Sequence, residues 1–182
     1  ELSFVLGEAL ERGELDAAFA YEVPERPGID RRAILREELL FVTAPGAAPQ
    51  SSTIRFADAL SGNLVQAGGR DMVRRLVEHE AQKLSLPVRV PFEASSISAM
   101  KAMVTRGIAA SIMPFGTAAA ELRAGLLSSR RIEDPHILRT LYLIQPTRRK
   151  PSKNGAAIER FLDGIQARLL EALGELSRPV DR

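Results

Sequence analysis

Two histidines, His79 and His136, are the only side chains here that offer imidazole for proton transfer or metal ligation. A catalytic histidine needs an oriented partner within hydrogen-bond reach. His79 falls on the polar side of a predicted helix and His136 follows Asp134-Pro135 in a loop, so both are expected to be solvated. The chain has no G-x-G-x-x-G, no G-x-x-x-x-G-K-[ST], no H-E-x-x-H and no G-x-S-x-G. Cysteine is absent, which removes thiolate nucleophiles, disulfides and Cys-ligated zinc and suits a reducing compartment. Carboxylates such as Glu78 and Glu80 are spaced as a solvated helix face rather than as an acid/base pair. The run Arg148-Arg149-Lys150 beside Pro151 could touch phosphate, but three basic residues in a turn more often serve solubility. No metal, no cofactor and no catalysis is expected.

The sequence does offer binding groups placed where buried strands should end. They are Tyr21, the 67–70 turn with Gly68, Gly69 and Arg70, the pair Ser95-Ser96, and Pro114-Phe115. In open α/β sheets ligands bind beyond the carboxyl ends of the strands. Glycines there allow close backbone approach, and N–H groups at the starts of the following helices favour an anion. The serines supply hydroxyls, Phe115 an apolar wall and Arg70 a positive charge. Each has a plainer use too: serines cap helices, Arg70 can point to solvent, and Phe115 can be core. As a group they read as a site for a small carboxylate or similarly anionic metabolite.

Positioning those groups requires alternating helices and strands, and the apolar pattern supplies them. Leu2, Val5, Leu6, Ala9 and Leu10 fall at helical spacing over residues 1–12, with Gly13 as a stop. Residues 15–21 form a nearly all-apolar run of the kind buried on both faces of a parallel sheet. A loop at 23–30 precedes a strand at 35–42, and residues 44–52 read as a connector. A helical turn at 56–60, a strand at 63–67 and the break at Gly68-Gly69 come next. The helix at 71–84 carries the stripe Val73, Leu76, Val77, Ala81 and Leu84. Val88, Val90 and Phe92 then alternate as in a half-covered strand. Helix 97–106, strand 108–113, helix 117–124 and strand 137–145 follow. Asn154 can cap a final helix striped by Ile158, Phe161, Leu162, Ile165, Leu169 and Leu173, and the residues after Ser177 are expected to fray. This is the α/β signature of a mainly parallel sheet. Arg12-Gly13 and Arg106-Gly107 each end a helix that re-enters as a buried strand, as two similar halves would.

Composition limits what such a molecule can do. The 182 residues, 45% apolar, bury a substantial core. Lys+Arg at 25 against Asp+Glu at 23 gives a formal charge of +2, a poor footprint for nucleic acid. No apolar run approaches the roughly 20 residues that span a membrane. No secretory leader is visible, and a first residue of Glu implies an upstream segment.

The order of certain segments resembles the LysR-type bacterial transcriptional regulators. They are residues 13–16 (GELD) entering a buried strand, 38–42 (ELLFV), 106–114 (RGIAASIMP), 130–135 (RRIEDP) and 139–143 (RTLYL). The likeness covers essentially the whole chain, with Ala109 standing where the family usually has a second glycine after the one matching Gly107. It implies an α/β fold of two Rossmann-like lobes with a ligand cleft, similar to type 2 periplasmic binding proteins. Lobe one would be residues 1–47 plus 141–182 and lobe two residues 48–140. The first lobe would be N-terminally truncated by roughly 30 residues, about one βαβ unit. The resemblance also implies a cytoplasmic effector-binding domain, with the effector between the lobes and Ser3 near a ligand-contacting helix start. DNA would be bound only through a missing N-terminal domain, so this chain alone is not expected to bind it specifically. A homodimer through helices 1–12 and 97–106 is expected, because Ile97, Ala99, Met100, Ala102, Met103 and Val104 leave little of the second helix polar. A periplasmic solute-binding protein would share this architecture and stays as the alternative; an enzyme on the same fold lacks a catalytic constellation.

Overall fold

The computed structural model of the chain describes residues 3–46, 51–147 and 155–180. Arg148-Arg149-Lys150, Asn154 and residues 47–50 of the 44–52 connector lie outside them, as do the side chains of Ser3 and Ile158. The chain divides into two compact units, one of Glu1–Glu37 with Arg139–Arg182 and one of Glu38–Leu138.

In the first unit, α1 (Ser3–Glu11) ends at Gly13, whose φ of +72° suits glycine. Gly13 N–H donates to Leu10 O and Glu14 N–H to Ala9 O, closing the helix. Strand β1 (Ala18–Tyr21) follows, and β2 (Ile29–Thr43) starts in this unit. The expected parallel pairing is corrected here, because β1 runs antiparallel to the later β8 (Leu138–Pro146), with Ala18 opposite Ile144 and Tyr21 opposite Leu141. An all-apolar strand reports burial on both faces and carries no information about direction. Both faces are indeed covered. Ala18, Ala20, Tyr142 and Ile144 pack with Leu6 and Leu10 of α1, whereas Phe19, Tyr21, Leu141 and Leu143 pack with Leu162, Leu169, Leu170 and Leu173.

The second unit contains the end of β2, then β3 (Thr53–Arg55), α2 (Phe56–Leu60), β4 (Val65–Gln66), α3 (Met72–Lys83), β5 (Phe92–Glu93), α4 (Ile97–Thr105), β6 (Ser111–Pro114), α5 (Phe115–Arg123) and β7 (Ser128–Glu133). Strand β4 pairs parallel with β5, and the bridge from Leu64 to Ala110 joins it in parallel to the run entering β6. Both β6 and β7 pair antiparallel with β2, and β3 pairs parallel with β7. Five strands therefore run one way and β2 runs against them. Phe56, Leu39, Leu64, Ile112, Ile132 and Ile137 are buried at the centre, with Val77 and Ala81 of α3 packed on them. Leu84 is 47% exposed just past the helix, outside the stripe expected of it. At Gly107, φ +69°, the hydrogen bonds from Gly107 to Val104 and from Ile108 to Met103 repeat those at Gly13.

The chain closes with β8, α6 (Gly155–Leu173) and β9 (Ser177–Pro179) in the first unit. The expectation of fraying after Ser177 is corrected, since Ser177, Arg178 and Pro179 pair antiparallel with Glu37, Arg36 and Leu35. Phe161 also leaves its expected stripe and is exposed, while Leu162 is buried. Among the described residues no helix is long and apolar enough to cross a membrane.

Candidate functional site

Because β5, β4 and the strand through Ala110 into β6 are adjacent and parallel, the segments that follow them emerge at one edge of the second unit. That edge brings together Gly68, Gly69, Arg70, Ser95, Ser96, Pro114 and Phe115, and it presents the N-termini of α3, α4 and α5. Two bonds lock the strand ends: Ala94 N–H donates to Gln66 O at 3.0 Å, and buried Gln66 Nε2 donates to Ile112 O at 3.2 Å.

The three helix starts differ in how their N–H groups are satisfied. Asp71 caps α3, accepting from Arg74 N–H at 3.0 Å, and Asp71 N–H closes a tight turn onto Gly68 O at 2.7 Å. Ser96 caps α4, its Oγ accepting from Ala99 N–H at 3.2 Å, while Ser95 is exposed. Pro114 precedes α5 and gives no side-chain cap, so the first turn of that helix keeps donors free of any side-chain oxygen of its own cap. Phe115, half-buried at the start of α5, has the Arg123 guanidinium 5.7 Å from its ring centre.

Arg70 is exposed at the turn, and the arginine ordered at this edge is Arg74. Its Nε donates to Glu78 Oε1 at 2.9 Å, and its Nη1 to Ala67 O at 3.1 Å and Glu93 Oε2 at 2.6 Å. Glu78 first and Glu93 second hold the guanidinium in its charged form. Sequence reasoning passed over Arg74, and the one signal for it was Glu78 four residues on, at salt-bridging helical spacing.

Ser3 and Tyr21 belong to the first unit. Ser3 is the first residue of α1. Tyr21 OH donates to Glu37 Oε2 at 2.8 Å, and that oxygen also accepts from Arg139 Nε at 2.8 Å and Nη2 at 2.6 Å. The Arg139 guanidinium lies 3.5 Å from the centre of the Tyr21 ring. In the second unit, the next residue, Glu38, takes both Arg131 Nε at 2.9 Å and Nη2 at 2.7 Å, with His136 at 4.0 Å. His79 is exposed on α3. Among the described residues no group of three or more metal-ligating side chains forms.

Burial pushes the Tyr21 phenol up to about 12 from 10.0, with Arg139 opposing and Glu37 adding to the rise. A raised acid pKa means that the folded state holds this proton more tightly than the unfolded chain. The resulting stability is complete below about pH 10 and is lost as pH climbs through about 12. Denaturant titrations across that window should therefore slope downward, and Tyr21→Phe should flatten the slope. An identical slope in the variant would assign it to other groups.

A family model of the LysR substrate binding domain matches residues 3–170. The HTH-type transcriptional regulator BbuR of Bordetella bronchiseptica is 29% identical over 146 residues, covering 79% of this chain and 44% of BbuR. The chain thus spans less than half the length of that relative. Among solved structures, the effector binding domain of QuiR in complex with shikimate superposes with a TM-score of 0.76 at 18% identity, over 92% of this chain and 79% of that one. The Synechocystis PCC6803 CcmR regulatory domain in complex with 2-PG gives a TM-score of 0.74 at 19% identity, over 96% of this chain and 81% of that one. At these identities the two structures establish a shared fold.

Proposed function

Because the chain belongs to the LysR substrate binding domain family, we propose that it is the effector-sensing part of a LysR-type transcriptional regulator, and that it takes a small anionic metabolite. The observation that carries the ligand class is the edge of the second unit. Three parallel strands deliver three helix N-termini there, and α5 has no side-chain cap. Backbone N–H groups and the positive end of the helix dipole favour negative charge at such a place. Gly69, where an added Cβ would meet only open space, leaves room for close approach. Ser95 supplies an exposed hydroxyl and Phe115 an apolar wall. The shikimate bound by QuiR, itself a carboxylate, agrees with this class.

Binding would act by biasing one conformation of the domain over another, by as much as the effector's affinities for the two differ. DNA recognition is assigned to a part of the regulator outside this chain, working in the cytoplasm, and the sensing domain is read as a homodimer through α1 and α4.

Calorimetric titration against organic acids, amino acids and neutral metabolites tests the ligand class. An organic acid should bind, Ser95→Ala should weaken it about threefold and Phe115→Ala about tenfold, in line with one hydrogen bond and one apolar contact. Binding that ignores both substitutions, or that selects a cation, would remove the site from this edge.

A further inference from the structure

We propose that Arg74, not Arg70, is the cation that an anionic effector engages, and that the chain's own Glu93 carboxylate occupies that position until a ligand displaces it. The inference rests on the effector-sensing reading above and adds to it a specificity-determining pair. Arg74 is fixed independently of Glu93. Its Nε is held by Glu78 at 2.9 Å, its Nη1 by Ala67 O at 3.1 Å, and its side chain is only 18% exposed. Its backbone N–H is bound by Asp71, so the residue is anchored at both ends.

Glu93 is held far more loosely. Its side chain is 60% exposed, and its one ion-pair contact is Oε2 on Nη1 at 2.6 Å. An exposed pair of this kind is marginally stable in water. The second oxygen, Oε1, lies over Gly68, 3.2 Å from where a Cβ would stand. A carboxylate therefore already fills the space that the missing side chain at Gly68 leaves beside a fixed guanidinium. Nη2 of Arg74 makes no hydrogen bond to the described residues. An incoming carboxylate can use Nη1 and Nη2 together, the two-point geometry that guanidinium favours, whereas Glu93 uses one. Glu93 is thus an internal competitor that sets how strong an anion must be to enter.

The test titrates the chain with acetate and with inorganic phosphate, following the Arg74 Nε–Hε resonance by NMR. Glu93→Gln removes the competing charge while keeping the shape. Glu80→Gln removes an equal charge from α3, where Glu80 pairs with Lys83 rather than with Arg74. Glu93→Gln should tighten anion binding about fivefold, from the lost pair and lost repulsion. Glu80→Gln should change it little, and the Arg74 resonance should shift and saturate with the anion. No tightening in Glu93→Gln, an equal gain in Glu80→Gln, or an unmoved resonance overturns the proposal. If an organic acid binds and loses affinity in Phe115→Ala but not in response to Glu93→Gln, only this inference fails. If no anion binds the chain or any variant, the effector reading fails with it.

Discussion

Arg139→Leu should destabilise the chain by about 3–5 kcal/mol, the range seen when one partner of a buried ion pair is removed. Glu37, 1% exposed, would be left with the Tyr21 hydroxyl alone of the three donors on its Oε2. The penalty is set by the carboxylate left behind rather than by the strength of the pair. A double variant, Glu37→Leu with Arg139→Leu, should therefore recover most of the loss, since apolar residues of similar volume replace such pairs at little net cost. Urea unfolding at constant slope measures both. A single variant within about 1 kcal/mol of the parent would mean that water reaches Glu37 and relieves its charge.

Glu37 also marks where reading the sequence stops. The segment 35–42 is plainly a strand from its apolar run, and the structure extends it to 29–43. Nothing in one strand says that Glu37 and Glu38 are buried, because their compensating arginines lie about a hundred residues away, on β8 and β7. Two acids inside an apolar strand were a usable warning, since buried carboxylates require a partner. Strand β7 was missed for a related reason. Its residues, SSRRIE, are mostly polar, and only Ile132 turns fully inward. Its place is fixed by pairing with β2 and β3, which is long-range information.

The helices were legible because their signals are local. Gly13 and Gly107 both follow their helices with positive φ, and Asp71 and Ser96 cap α3 and α4. The candidate site was legible in the same way, as the residues after each strand, because a parallel βα repeat puts those turns on one edge whatever their sequence. Which arginine is ordered at that edge was not legible. Arg70 and Arg74 lie four residues apart, and it is Arg74 whose guanidinium is held by Ala67 O, Glu78 and Glu93.

The proposed homodimer leads to the second large effect, since Ile97→Glu should raise the dimer dissociation constant about a hundredfold. Met100 and Val104 fill the inner face of α4, Met100 accepting a hydrogen bond from Ser111 Oγ at 3.2 Å. Ile97, 47% exposed, and Ala99, also exposed, lie off that inner face. A helix packed on one sheet needs a single apolar stripe, so the apolar residues left outside call for a second surface. Fully burying an isoleucine contributes about 1.5–3 kcal/mol. With roughly half of Ile97 already covered, about 1 kcal/mol per copy remains for an interface to recover. In a two-fold dimer the substitution occurs twice, and each glutamate adds its own desolvation penalty. Together these reach the roughly 3 kcal/mol that a hundredfold change requires. Leu84→Glu, at an equally exposed position just past α3, serves as the control and should leave association unchanged. Sedimentation at micromolar concentration separates the outcomes. A parent chain that stays monomeric, or an Ile97→Glu variant that dimerises as well as the parent, rules out α4 as the interface.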